Sequence, residues 1–121
     1  DAVLIVDVLH HTIDPMVLLR EARRVTRGSI ILKDHFVHGI GSWMTLRAMD
    51  WVGNAHTGVA LPYNYWSERQ WRRAFAELSL TVDQWLSPLK LYPAPVDWVC
   101  GKHLHFIAVL IPDDMPSVAT R

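Results

Sequence analysis

The chain has 121 residues, half of them hydrophobic, enough for one domain with a real core and too apolar for a disordered segment. Twelve basic residues balance twelve acidic ones, which removes the broad electrostatic footprint of a protein that works on nucleic acid or on anionic lipid. Cys100 is the single cysteine, so an intrachain disulfide and a cysteine zinc site are excluded, and the apolar runs Ala2 to Val6 and Phe106 to Ile111 fall far short of the roughly 20 residues that span a bilayer. Composition therefore predicts a cytoplasmic protein with no membrane segment.

The first element is Ala2 to Val6, a continuous β-branched-rich run of the kind found in a parallel strand covered on both faces. It starts at once after Asp1, with no leader or preceding turn, which reads as a truncation. A helix follows: Asp14 suits the N-cap, Pro15 the first helical position, and Gly28 stands past its end as a stop. Leu18, Ala22 and Val25 form its packing stripe. Ser29 to Leu32 is a second apolar strand, and the unit from Ala2 to Leu32 has the length of a β-α-β crossover with parallel strands.

Gly39 to Val52 carries Met44, Ala48, Trp51 and Val52 at helical spacing, with Trp43, Leu46 and Met49 adding apolar character on other sides, so this helix is expected to be sandwiched or to cover something. Residues 53–65 lack periodicity and read as a loop. Ser67 with Gln70 forms a capping box, Trp66 and Trp71 a hydrophobic staple, and Trp71, Ala74, Phe75 and Leu78 the stripe of a core-facing helix. Leu80 to Leu86, with polar Thr81, Asp83 and Gln84, suits a sheet edge. Residues 87–102 read as loop, His103 to Ile111 as the last strand, with His103 and His105 on one face, and 112–121 as a flexible tail. Trp43, Trp51, Trp71 and Trp85 are expected in the core.

In open α/β sheets ligands collect at the carboxyl ends of the strands. The first strand runs into Asp7-Val-Leu-His10-His11-Thr12 and the second into Lys33-Asp34-His35, which brings two carboxylates and three imidazoles toward one rim. His38 and the loop from Pro62 to Trp66 are candidates to join them. A metal site of His10, His11, His35 and His38 is not expected, because adjacent histidines should point apart and no carboxylate-histidine motif fixes a geometry.

Asp1 to His11, followed by Asp14-Pro15, Leu19-Arg20-Glu21, Arg24-Val25 and Gly28 to Leu32, resembles the fourth strand, helix and fifth strand of small-molecule class I methyltransferases that use S-adenosylmethionine. The resemblance is close over about thirty-five residues. It implies an α/β fold: the C-terminal half of a Rossmann-like sheet, with strands equivalent to 4, 5, 6 and an antiparallel 7, over residues 1–111. Residues 39–66 would be the substrate-side insertion.

The resemblance further implies that the intact protein is a methyltransferase of the EC 2.1.1 type acting on a small-molecule acceptor. Asp7, Val8 and Leu9 would lie near the cofactor, and His10 and His11 would be the catalytic candidates facing the acceptor. Asp34, His35, Tyr63, Tyr65 and Trp66 would line the acceptor pocket. The family's Gly-rich turn and ribose-binding acid are absent from these residues, so the isolated chain is expected to be inactive. The open strand 2–6 offers a homodimer contact. Two other functions fit the same elements: a non-catalytic Rossmann-like accessory or dimerisation domain, and half of a nucleotide-dependent oxidoreductase, which an all-parallel sheet would favour.

Overall fold

The computed structural model describes residues 1–54, 56–89, 91, 93–98 and 103–115. Cys100 and residues 116–121 of the expected tail lie outside this set. Strand β1 (Ala2–Val6) leads through a 3-10 turn (Leu9–His11) into helix α1 (Pro15–Val25) and strand β2 (Ser29–His35). Helices α2 (Ile40–Asn54) and α3 (Glu68–Glu77) follow, then strands β3 (Leu80–Leu86) and β4 (His105–Pro112). The four strands form one mixed sheet in the order β1-β2-β4-β3. β1 and β2 are parallel, with Val6 opposite Lys33, and β4 lies antiparallel to both β2 and β3. The antiparallel β4 is incompatible with the all-parallel oxidoreductase half, while β3 takes the edge its polar residues suit.

Local chemistry explains the helix boundaries. The Asp14 carboxylate accepts from the Met16 backbone N–H at 2.9 Å, with Pro15 at the first position. In α3 the capping box forms in full: Ser67 Oγ accepts from the Gln70 N–H, and Gln70 Oε1 accepts from the Ser67 N–H at 2.9 Å. The Trp66 and Trp71 rings meet at 4.8 Å as the staple. Gly28 does something other than stop α1, which ends with Thr26 as its C-cap. A Cβ on Gly28 would meet the Asp1 carbonyl oxygen at 2.3 Å, so its missing side chain lets the start of β1 lie against the start of β2.

The core forms on one face of the sheet only. Ile5, Ile30, Leu32, Phe106, Ala108 and Leu110 point to the side where α1 (Leu19, Ala22) and α3 (Trp71, Ala74, Phe75) pack. Phe106 is fully buried, with the Trp85 ring stacked on it at 4.4 Å and the Trp71 ring at 5.5 Å. The residues between these on each strand turn the other way. Leu4 pairs with Ile31, Ile31 with Val109, Val6 with Lys33, Lys33 with Ile107, and Ile107 with Leu86, so they make one continuous surface. Leu4 is 66% exposed, Val6 and Leu86 are also exposed, and Ile31, Ile107 and Val109 are half-buried. The expectation of a strand covered on both faces is thus corrected: a continuous apolar run tells that both faces are apolar, and the described residues cover one.

Three further expectations change. Helix α2 covers and is not sandwiched: Leu46 packs with Tyr65 and Leu104, while Met44, Trp51 and Val52 are exposed, so Trp51 leaves the expected core set. His103 is a turn residue with φ 62° and does not share a strand face with His105. Pro112 closes β4, and the two residues after it are tied down: the Asp113 N–H donates to the Ser79 carbonyl at 3.0 Å, and Asp114 accepts from Arg23. The tail is therefore held at its start.

Truncating the ring that joins both tryptophans should be costly. Phe106→Ala is expected to lose about 3–5 kcal/mol in urea unfolding, against about 1 kcal/mol for the cap-deleting Ser67→Ala. Equal losses would contradict this placement of the core.

Candidate functional site

Because Val6 is paired with Lys33, the segments that follow β1 and end β2 leave the sheet side by side. Asp7 adopts φ 51°, a conformation that turns the chain sharply off the strand, and its N–H donates to the Lys33 carbonyl at 2.9 Å. The 3-10 turn then carries His10 back over the end of β2. There Asp34, with no solvent exposure, accepts from three donors: the Leu9 N–H to Oδ2 at 3.1 Å, the His10 ring Nδ1 to Oδ1 at 2.6 Å, and the His35 N–H to Oδ1 at 2.8 Å.

The charges follow from this packing. Burial alone would lower the His10 pKa, but the hydrogen bond to Asp34 and the carboxylates of Asp34, Asp50 and Asp7 outweigh it, and the imidazole titrates above its ordinary value. Burial would raise Asp34, but hydrogen bonds from His10 and His35 and their charges hold it well below the carboxylate range. The two side chains thus form a buried hydrogen-bonded pair in which each favours the charged form of the other. His11 is lowered, by burial and then by the neighbouring His10 charge. On the outer side Lys33 Nζ holds both oxygens of Asp7 at 2.6 Å.

The expected rim residues come together in part. Asp7, His10, Asp34 and His35 share one cluster, the His10 and His35 rings lying 4.7 Å apart. The premise that adjacent histidines point apart does not hold, since the tight 3-10 turn brings the His10 and His11 rings to 4.1 Å. Leu9, expected beside the cofactor, is wholly buried, while Val8 is exposed. Tyr63, Tyr65 and Trp66 serve three different surroundings. Tyr63 lines an apolar groove with Trp43, Arg47 and Trp51 of α2. Tyr65 is buried, its hydroxyl donating to Asp50 Oδ2 at 2.5 Å. Trp66 staples α3. His38 also leaves the rim: its Nε2 bonds the His103 carbonyl and its ring packs on Phe36 at 4.5 Å.

Sequence reasoning missed Asp50 and the role of Lys33. Asp50 Oδ1 lies 3.7 Å from His10 Nε2, on the far side of the ring from Asp34. A signal was present, because Asp50 is a lone acid between Met49 and Trp51 in an apolar helix, where a charge needs a partner.

No family model and no curated protein matches the chain. One solved structure with a similar fold is a complex between the Haloferax volcanii Trm112 methyltransferase activator and a candidate methyltransferase. The match has 17% identity and a TM-score of 0.59, and it covers 93% of this chain and 54% of that chain. The chain thus spans about half the length of the structure it resembles, and the likeness concerns the α/β fold. The expectation of an EC 2.1.1-type enzyme is corrected: at this identity the likeness shows the α/β fold and assigns no activity.

The buried pair sets a pH window for the stability of the chain. Asp34, depressed on folding, contributes stability above its unfolded pKa of about 3.9, lost as pH falls; His10, raised on folding, contributes stability below its unfolded pKa of about 6.5, lost as pH rises through the folded value. Thermal melts should therefore peak in mildly acidic buffer. Asp34→Asn should cost about 3–5 kcal/mol and flatten the decline above neutrality; an unchanged alkaline limb would contradict the pairing.

Proposed function

We propose that the chain is a non-catalytic, Rossmann-like accessory domain of a methyltransferase assembly, joined to a second protein chain through the uncovered face of its sheet. One observation carries the reading. Leu4, Val6, Ile31, Ile107, Val109 and Leu86 share one mostly apolar face of the sheet, interrupted by Lys33 between Val6 and Ile107, on which no described helix packs. Sheets with parallel βαβ units are ordinarily covered on both faces. Each half-exposed aliphatic side chain forfeits part of about 1.5–3 kcal/mol, and a patch of this composition marks an interaction site. β1 adds an edge whose backbone groups are free to pair with another strand.

The resemblance of the first thirty-five residues to a methyltransferase segment and the fold shared with an activator complex support the kind of assembly. The partner is accordingly a protein and not a small-molecule acceptor. S-adenosylmethionine belongs to the completed assembly: within this chain Asp7 is engaged by Lys33 and Leu9 is buried, which leaves Val8 as the accessible member of the expected cofactor segment.

Without its partner the chain should self-associate through the same face. Sedimentation velocity is expected to find oligomers of the native sequence and a monomer for Leu4→Lys combined with Val109→Lys, with the same far-ultraviolet circular dichroism. A native-sequence monomer that binds no hydrophobic dye would overturn the docking face. Radiolabelled methyl transfer by the isolated chain would overturn the non-catalytic reading.

A further inference from the structure

We propose that His10, His11 and Asp50 form a binding site for a first-row transition-metal dication, which clasps α2 to the end of the sheet. One ligand atom from each of the three lies within 4.8 Å of the other two. Bonds of about 2.1 Å in a tetrahedral site separate ligand atoms by about 3.4 Å, so the residues need only a small contraction. Two imidazoles and one carboxylate suit zinc, iron or cobalt better than magnesium or calcium, which prefer all-oxygen sets.

The surroundings of each ligand are those a metal site requires. His10 gives Nδ1 to Asp34, which fixes the ring and leaves Nε2 facing Asp50 Oδ1 at 3.7 Å, where the metal takes the place of the ring's second proton and releases it to solvent. Asp50 accepts the Tyr65 hydroxyl on its other oxygen, Oδ2, so Oδ1 is the one turned to the histidines. The His11 Nδ1 is buried with no hydrogen-bond partner among the described residues. A buried ring nitrogen without a partner costs free energy unless something fills the gap. Access exists, because His11 is half-buried and the Asp50 side chain keeps 12% of its exposure.

The neighbouring set of Asp7, His10, Asp34 and His35 is compact too, but a cation there would have to displace the Lys33 ammonium from Asp7 and the Leu9 and His35 N–H groups from Asp34. With a metal at His10, His11 and Asp50, those contacts survive. The clasp would link the turn after β1 to a helix that otherwise buries little beyond Leu46.

The test uses the full chain, stripped with chelator and titrated with Co²⁺. One equivalent should bind with saturable visible ligand-field absorption and be displaced by Zn²⁺, and the diamagnetic Zn²⁺ form should move the ring-nitrogen resonances of His10 and His11 by the large coordination shift, among the seven histidines. Asp50→Asn and His11→Gln should each weaken binding at least tenfold, and His35→Gln should leave it within twofold. Absence of saturable binding, or shifts at histidines other than His10 and His11, overturns the proposal even if a variant fails to fold. So does binding that depends on His35 in place of Asp50.

Discussion

The end of this sheet is organised by one carboxylate that water does not reach. Asp34 would be a severe liability in a core if left alone, since a buried charge without partners costs several kcal/mol. It is tolerable because β1 and β2 are adjacent and in register, so that the turn after β1 delivers one N–H and one imidazole, and β2 itself another N–H, to the same two oxygens. The arrangement couples local and long-range structure. The 3-10 turn has no side-chain cap; the Asp34 carboxylate takes over that function from 25 residues away. The same contacts fix the His10 ring, which then sets what its second nitrogen faces.

The sheet itself is half of a layered structure. On one face α1 and α3 bury a core of large aromatic and aliphatic side chains; on the other the aliphatic residues of all four strands are left to a partner. This asymmetry explains why the chain can have a folded interior and still need company. The covered face accounts for the chain's own stability, and the open face for its association. Helix α2 adds a second apolar surface, where Arg47 lies over the Tyr63 ring at 4.4 Å and over Trp43 at 5.2 Å. There aromatic faces are partly screened by a cation.

Much of this was legible in the sequence wherever local chemistry decides the outcome. Asp14-Pro15 and Ser67 with Gln70 state where helices begin, and all four strands are located, although β2 continues past the expected Leu32 through Lys33, Asp34 and His35. The juxtaposition of Asp7, His10, Asp34 and His35 also follows from reading two strands as parallel neighbours. What was not legible depends on tertiary context. An apolar strand looks the same whether its second face is covered or bare, so the open face was invisible. The tight turn that brings His10 and His11 together depends on a positive φ at Asp7, a conformation uncommon for aspartate. Asp50 sits a helix away from its partner, and no spacing rule connects residues 10 and 50. Tyr63, Tyr65 and Trp66 are adjacent in sequence, yet they diverge because the irregular chain there follows no period.

The central claim is that the buried hydrogen-bonded pair of His10 and Asp34 holds the two strand ends together. Nitrogen-15 histidine NMR measures it most directly. The account predicts that His10 holds its second proton to a higher pH than an exposed histidine does, with a low-field Nδ1 proton protected from exchange with solvent. A His10 ring that titrates no higher than an exposed histidine and whose protons exchange as freely would contradict it.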